Sequence, residues 1–500
     1  MSPTADQEVV MRGERRRWRS VVVLVTVGMA LAAGTAGANV ALTQVSADPF
    51  TNATSQHATE VEPDTFADHG TIVAAFQVGR FFNGGGSDIG VVRSANGGAS
   101  WGAPGFLHLT FNSGNSSSPY ERVSDASVAY DAAHGVWIVS SIPLLPNVTV
   151  PTVFFNRSTD DGRTWGPAIS MPPPASNSLD LDKNWTVCDN HASSPFYGHC
   201  YTELDNFADN NLELMSTSTD GGLTWSTPIR TTSIDRGLGG QPVVQPNGRV
   251  VVPFESLNGA IAAFSSDDGG ASWGGGVTIY HAHFHRNAGD LRTSPLPSAE
   301  VAGDGEVYVA WEDCSFRKSC SANDIVFSKS ADGVSWSDVA RIPIDDVNSG
   351  VDHFIPGLAV DPTTSGSSTK LALTYYFYPD TTCSGGCQLD VGYISSPDGG
   401  AHWGAPTQLA GPMTLDEIAL TSQGPMVGDY ISTSIVSGRA ATVFPVGKPA
   451  SGAAFDEGMY SPGRLAIATA AQATRAATTS GTFQTTGAGI GAAIQALREN

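Results

Sequence analysis

Short apolar runs separated by polar turns recur along the chain from about residue 60 to residue 468. Ile89 to Val92 reads IGVV, Thr152 to Phe155 reads TVFF, and Ile325 to Phe327 reads IVF. Each precedes a compact turn rich in Ser, Asp and Gly that ends in tryptophan. A second kind of unit alternates with it, in which an apolar stretch ends at an acid or Asn, turns, and resumes. Its copies cover residues 60–77, 123–141, 184–204, 241–254, 298–311, 356–377 and 426–446. The runs are short and rich in Val, Tyr and Phe, which suits strands buried on both faces. Each pair of units therefore predicts four strands: a first hairpin, a third strand before the Trp-bearing turn, and a fourth after it. The seventh unit lacks that turn. Its third strand is expected at Gly458 to Ala468 and its fourth within residues 40–58.

The Trp-bearing turns share the template S-x-D-x-G-x-T/S-W. Copies run from Ser158 to Trp165, Ser218 to Trp225, Ser266 to Trp273 and Ser396 to Trp403. Ser94 to Trp101 has Asn96 for the acid, and Ser330 to Trp336 is one residue shorter. The Asp side chain can accept bonds from backbone N–H groups further along the turn. Gly supplies the positive φ, and the Trp anchors the turn by packing. The pattern resembles the Asp-box (BNR) repeat of the sialidase superfamily. Six copies, with tryptophans roughly 48 to 67 residues apart, predict a repeat architecture. The fold expected is an all-β propeller of seven four-stranded blades with the Asp-boxes on one rim. Six blades is the alternative, which the sialidase resemblance favours. The division expected is a signal peptide or uncleaved anchor over 1–38, a linker or closing strand over 39–59, the propeller over 60–468, and a flexible Ala/Thr/Gly-rich tail over 469–500.

Composition narrows this further. Of 500 residues, 15% are charged and 41% hydrophobic, with 56 Gly and 30 Pro, which suits a turn-rich β protein and not a disordered one. A formal charge of −22 argues against nucleic acid or an anionic membrane surface as partner. Arginines 12, 15, 16, 17 and 19 flank the apolar run Val21 to Ala33, and Ala36-Gly37-Ala38 fits a cleavage site, so export is expected. The cysteines pair by proximity into three local disulfides, Cys188 with Cys200, Cys314 with Cys320 and Cys383 with Cys387, which suits an oxidising compartment. Their spacings are not those of a zinc site. No cofactor is expected. A structural calcium at the box carboxylates is left open, although their spacing does not support it.

Strand order sorts the loops. Turns between strands one and two, and between three and four, share the Asp-box rim. Loops between strands two and three, and between blades, share the other. In sialidase-like propellers that second rim carries the active site. Here its inter-blade loops hold Glu60 and Glu62; Glu121, Arg122 and Asp125; Asp182 and Lys183; Asp290, Arg292 and Glu300; and Gln423, Asp429 and Tyr430. The resemblance implies three arginines on a substrate carboxylate, a Tyr nucleophile activated by Glu, and an Asp acid/base. The positions that could supply them are Arg80, Arg122 and Arg292, Tyr430 with Glu300, and Asp182 or Asp125. The family's R-I-P stretch occurs only at Arg341-Ile342-Pro343, after the fifth box, on an outer strand. For each of these residues, pairing that merely satisfies channel polar groups is the competing explanation. His281, His283 and His285 alternate along a strand and so share a face; an exposed strand edge explains them better than a metal site. Two functions follow: an exported sialidase-like glycoside hydrolase acting on carbohydrate or glycoconjugate, or a non-catalytic propeller binding glycan or protein on the same rim.

Overall fold

The structure is a computed structural model and describes residues 40–479 apart from residues 177, 385, 451 and 453. The proposed signal segment 1–38 and the tail beyond residue 479 lie outside the described residues. The described chain is all-β, with six short 3-10 turns as its only helical elements. No helix among the described residues is long and apolar enough to cross a membrane.

Antiparallel meanders follow one another along the chain. Sheet I holds Glu60–Asp68, Thr71–Arg80, Gly86–Ser94 and Gly105–Phe106. Sheet II holds Arg122–Asp131, Val136–Leu144, Phe154–Ser158 and Ile169–Ser170, and one bridge from Gly86 to Val123 joins it to sheet I. Sheet III holds Leu181–Cys188, Cys200–Asn206, Leu212–Ser218 and Ile229–Arg230. In sheet IV the first strand is split into Gly237–Leu238 and Val243–Val244, before Val250–Ser256, Ala260–Ser266 and Val277–His281. Sheet V runs Ser298–Val301, Val307–Asp313, Asp324–Ser330 and Ala340–Arg341; sheet VI runs Asp352–Val360, Leu371–Tyr378, Gln388–Ser396 and Thr407–Thr414. Sheet VII combines Ser432–Val436, Arg439–Gly447 and Glu457–Ser461 with Thr43–Gln44 from the start of the chain. Thr43–Gln44 thus adds a strand to the last sheet.

The core lies between successive sheets. Val73, Ile89 and Val91 of sheet I meet Val128, Trp137 and Phe154 of sheet II, and Val443 and Met459 of sheet VII meet Ala74 and Phe76 of sheet I. Polar side chains on the first strands tie neighbours together. Asp64 accepts from Val128 N (2.7 Å), Ser127 Oγ from Thr186 N (3.1 Å), Gln241 Oε1 from Ala299 N (2.9 Å), and Ser298 Oγ from Leu358 N (3.0 Å). Thr65 of sheet I shares hydroxyl bonds with Ser432 and Ser434 of sheet VII. At these four junctions a side chain at the start of one sheet satisfies a backbone N–H of the next, as buried backbone donors require.

Each Asp-box joins a third strand to a fourth. In Ser218 to Trp225, Ser218 Oγ accepts from Gly222 N (2.9 Å), Asp220 Oδ1 accepts from Leu223 N and Thr224 N (3.0 and 2.9 Å), and Thr224 Oγ1 donates to Asp220 Oδ2 (2.6 Å). Gly221 and Gly222 both sit at positive φ, 72° and 77°, which explains their selection. Trp225 stacks on Phe155 of the preceding sheet, centroids 3.8 Å apart. Ser158/Asp160/Thr164 and Ser266/Asp268/Ser272 repeat the bonds, and in Ser396 to Trp403 His402 replaces the hydroxyl donor.

All three disulfides join the expected partners. The expectation of a flexible tail from residue 469 covers residues that are strands in the structure. Arg475–Ala476 pairs with His402–Trp403, and Thr478–Thr479 pairs with Ala340–Arg341. The physical reason is that the two-residue fourth strand of sheet V leaves backbone groups open at its edge, and the end of the sixth Asp-box at His402–Trp403 leaves others, and an extended Ala/Thr segment can fill both.

Candidate functional site

The first strands of sheets I, II and III share a local irregularity. Pairing with the second strand slips between Val61 and Asp64, between Ser124 and Ser127, and between Asp182 and Trp185. Inside each slip one residue has positive φ: Glu62 at 56°, Asp125 at 49° and Lys183 at 51°. Sheet VI has the same slip around Ile355. A bulge of this kind re-aims a side chain and interrupts pairing, and positive φ costs a non-glycine residue about 1–2 kcal/mol. In three of the four bulges the residue so placed is charged, and the three come together.

Their meeting point is Asp429, on the segment leading into sheet VII. Arg292 Nε donates to Asp429 Oδ1 (2.7 Å) and its Nη2 to Oδ2; Lys183 Nζ donates to the same Oδ2. Lys183 Nζ also stands 3.7 Å from Glu62 Oε1 and 3.8 Å from Asp125 Oδ1. Glu62 takes a bond from Gln77, whose amide also reaches Ser124 Oγ (3.0 Å). Arg80, at the end of the second strand of sheet I, donates to Gly85 O (3.0 Å) and contacts Met426 Sδ (3.4 Å), while its buried Nε has no partner. Asp182 lies near enough to Asp125 to raise its carboxyl by repulsion. Glu62, Arg80, Asp125, Asp182, Lys183 and Arg292 line one cavity of about 210 Å³, with Phe207 and Gln423 at its wall. A smaller recess of about 60 Å³ shares Asp182, Lys183 and Arg292 and reaches Asp429.

Burial and charge pull these groups in different directions. Burial pushes the Glu62 carboxyl up to about 7 against the pull of Lys183, and pushes Asp125 up to about 6, again opposed by Lys183. Burial would also raise Asp429, but Arg292 and Lys183 outweigh it and hold that carboxylate far below its usual range. Lys183 is raised because Asp429, Asp125 and Glu62 together exceed its desolvation. Arg80 is lowered by burial, with the charge of Arg292 adding to it. At neutral pH the site thus holds one firmly ionised carboxylate, carboxyls that carry protons part of the time, and three cations. Such groups can exchange a proton with a bound ligand and attract an anionic one.

Of the residues singled out in the sequence, Arg80, Arg292, Asp182 and Asp125 reach this cavity. Arg122 turns away: its guanidinium bonds Glu121 (3.1 Å) and Asn83 (2.5 Å) and lies over the Phe81 ring at 4.5 Å. Tyr430 is buried beside the cluster, 5.8 Å beneath Lys183 Nζ and edge-on to Trp185 at 5.1 Å, with its hydroxyl donating to Ala126 O (3.4 Å). Burial raises its phenol, and Glu62 and Asp125 add to the rise. Glu300, pushed up to about 8 by burial, feels Asp64, and no hydrogen bond joins it to Tyr430 among the described residues. Glu62, Lys183 and Asp429 were visible as polar loop residues, but nothing in the letters ranked them first. The one local signal was the broken alternation at Glu62/Asp64 and Asp125/Ser127, where polar residues two apart fall inside an apolar strand.

The histidines do not converge. His283 Nδ1 meets Ser315 Oγ (3.1 Å), and His285 Nδ1 meets Asp352 (3.2 Å). Asp324, Asp345 and His353 do lie close enough to suggest a cation site. Two buried arginines already occupy it, since Arg317 bonds Asp324 (2.8 and 2.5 Å) and Asp345 (2.9 Å), and Arg341 lies 2.8 Å from Asp324. Arg341 of the R-I-P stretch therefore serves an ion-pair network at the outer strand of sheet V.

Comparison with known proteins gives one family match. A model described as "BNR repeat-like domain" matches residues 70–275 and 197–357. No curated protein matches the chain. Among solved structures, the Hadza microbial sialidase Hz136 is 16% identical with a TM-score of 0.46; the match covers 82% of this chain and 66% of that one, so this chain spans just under two thirds of that sialidase. An ulvan lyase of family PL25, bound to -[GlcA(1-4)Rha3S]-, is 10% identical with a TM-score of 0.48, covering 84% and 95%. The intramolecular trans-sialidase from Ruminococcus gnavus is 13% identical with a TM-score of 0.40, covering 83% and 96%. Identity at this level carries no correspondence between site residues.

Proposed function

We propose that this chain, which belongs to the BNR repeat-like domain family and carries the Asp-box turns of the sialidase superfamily, is a seven-bladed propeller that cleaves glycans at the cavity beside Asp429, as an exported glycoside hydrolase of sialidase type. The observation that carries the reading is the convergence of Glu62, Asp125 and Asp182 with Arg80 and Arg292 on one cavity. In this reading Asp125 is the acid. Its carboxyl, pushed up to about 6, protonates the leaving oxygen as the glycosidic C–O bond breaks. Asp182, lining the same cavity, adds its repulsion to that rise. Tyr430 attacks the anomeric carbon as Glu62 takes its phenolic proton, and water later releases the sugar. Arg80, with an unpartnered Nε, faces a substrate carboxylate. Three local disulfides support an extracytoplasmic location.

The test is release of a fluorogenic aglycone from a sialoside by the whole chain, set beside Asp125→Asn. Release that falls at least about a hundredfold in the variant fits general-acid loss. No release from any sialoside ends the sialidase reading and leaves the fold as it is.

One observation favours the second reading, a propeller that binds glycan without cleaving it. Asp429 already occupies Arg292 and Lys183, which leaves Arg80 as the cavity cation without a carboxylate bond. Glycan binding, followed by calorimetry and weakened by Arg80→Gln while no sugar is released, would select it.

A further inference from the structure

An Asp-box tryptophan is covered only as well as the preceding sheet can cover it. It packs on the third strand of that sheet, at the residue three positions before the serine of that sheet's own box. Trp225 rests on Phe155, Trp273 joins the cluster of Met215, and Trp403 meets Phe327, centroids 6.2 Å apart. Over those large residues the three indoles are 6%, 1% and 0% exposed. At two junctions the shelf is small. Val91 stands three positions before Ser94, and Ala263 three before Ser266. Trp165 and Trp336, which pack beside them, stay half-buried. Beside Trp165 the gap opens into a cavity of about 450 Å³, bounded by Val91 and the segment that follows the first box. That volume is in the range of small-ligand sites. Phe106, also half-buried, adds a second aromatic ring, while Gly102 and Gly105 leave the facing segment nearly free of side chains.

The charge of this cavity runs against that of the whole chain. The protein has 48 Asp and Glu against 26 Lys and Arg. Yet among the described residues no Asp or Glu lines the cavity, while Arg93, Arg163 and His108 do. Arg93 is held by Thr71 Oγ1 (3.2 Å) and by Asp161 behind the wall. Arg163 Nη2 stands 3.5 Å from the same carboxylate, with its side chain 59% exposed. Two guanidiniums thus share one carboxylate, and a positive charge is left over. His108 Nδ1 bonds Ser113 O (2.7 Å). A carbonyl only accepts, so the ring proton sits on Nδ1 and Nε2 is an acceptor in the neutral imidazole.

An indole face packs against the C–H face of a sugar ring, guanidiniums take a carboxylate or sulfate, and an imidazole acceptor takes a hydroxyl. We propose that this cavity binds an acidic saccharide, with one pyranose ring stacked on Trp165 and its carboxylate or sulfate held by Arg93 and Arg163. The site shares no lining residue with the cavity beside Asp429. It requires no bond cleavage there, so it stands apart from the hydrolase reading.

The whole chain, labelled with 15N at its indoles, is titrated by NMR with four probes. They are a hyaluronan tetrasaccharide, which carries carboxylates, a carrageenan tetrasaccharide, which carries sulfates, neutral cellotetraose, and inorganic sulfate. The Trp165 signal, assigned by its absence from Trp165→Phe, reports on this site alone. It should move saturably with at least one acidic tetrasaccharide, with a Kd below about 1 mM, and at least about tenfold more weakly with cellotetraose and with inorganic sulfate. The acidic probe that moves it identifies carboxylate or sulfate as the group held. Val91→Phe gives Trp165 the kind of shelf that Phe155 gives Trp225, and should weaken binding at least about tenfold by closing the cavity. Arg163→Gln lies on the exposed rim and should weaken binding about fivefold; it carries the test if Val91→Phe does not fold. Arg80→Gln, in the other cavity, should leave the Trp165 response as in wild type. The proposal is overturned if no saccharide moves the signal, or if cellotetraose or inorganic sulfate binds as tightly as the acidic tetrasaccharides. It is equally overturned if Arg163→Gln and a folded Val91→Phe bind as wild type does. A lack of sialoside release strikes the reading at Asp429 and leaves a Trp165 response standing.

Discussion

At the turn from Ser218 to Trp225, the Asp220 carboxylate takes its hydrogen bonds from residues two to four positions away. At the cavity, Asp429 takes its bonds from Lys183, 246 residues away, and Arg292, 137 residues away. The first arrangement assembles locally, is open to water, and can be copied into every sheet. The second exists only when distant sheets have met, and its members are buried. The contrast separates residues that shape a turn from residues that create an unusual chemical environment. Repetition marks the first kind, and convergence marks the second.

The largest break in that comparison should come at the convergent end. Asp429→Ala leaves Lys183 and Arg292 buried without their carboxylate, and is expected to cost about 3–5 kcal/mol in urea unfolding. A loss within the range of ordinary surface substitutions would mean that the cluster is solvated and the contrast false. Next comes pH. Glu62 and Asp125 have folded-state values of about 7 and 6, above their unfolded ones. Their contribution is full below about pH 4 and lost as pH rises through 6 to 7. Asp220 and Asp268 are held low by their hydroxyl and backbone donors, which outweigh partial burial, and backbone bonds from Ser335 and Val334 take Asp332 to about 2. Their contribution is present above about pH 4 and lost as pH falls below it. Unfolding free energy followed against pH should therefore peak at mildly acidic pH, and Glu62→Gln should flatten the alkaline side alone. A smaller effect is expected from Asp220→Ala, on the order of 1 kcal/mol, comparable to loss of a helix cap, with glycan release unchanged. The smallest is Asn96→Asp, which restores the template in the first box and should shift stability by no more than about 0.5 kcal/mol; a larger gain would show that the boxes act together.

Much of the architecture was legible because its signals are local. The Ser–Asp–Gly–Trp turns named their own position between third and fourth strands, and the three cysteine pairs lie within short loops. Thr43–Gln44 could be anticipated because the seventh unit lacked a strand. The site was only half legible. Arg80, Arg292 and Asp182 could be grouped on neighbouring loops, and they line one cavity, but side-chain direction there is decided by bulges at Glu62, Asp125 and Lys183, and a bulge leaves little trace in composition. Arg122 has the same chemistry as Arg80 and a similar position, yet Asn83, Glu121 and Phe81 draw it aside. Residues 475–479 read as a tail for a related reason: an Ala/Thr segment has no strong preference of its own, and the open edges at Ala340–Arg341 and His402–Trp403 impose one.

Thr43–Gln44 has its hydrogen-bonding partner at Tyr460 and Ser461. During synthesis on the ribosome, the other sheets can each form soon after their own residues emerge, because their main strands are consecutive. This strand must wait for more than four-fifths of the polypeptide. Proteolytic clipping before residue 457 would therefore release both extremities at once, and a nascent chain halted there would present an unfinished surface to chaperones.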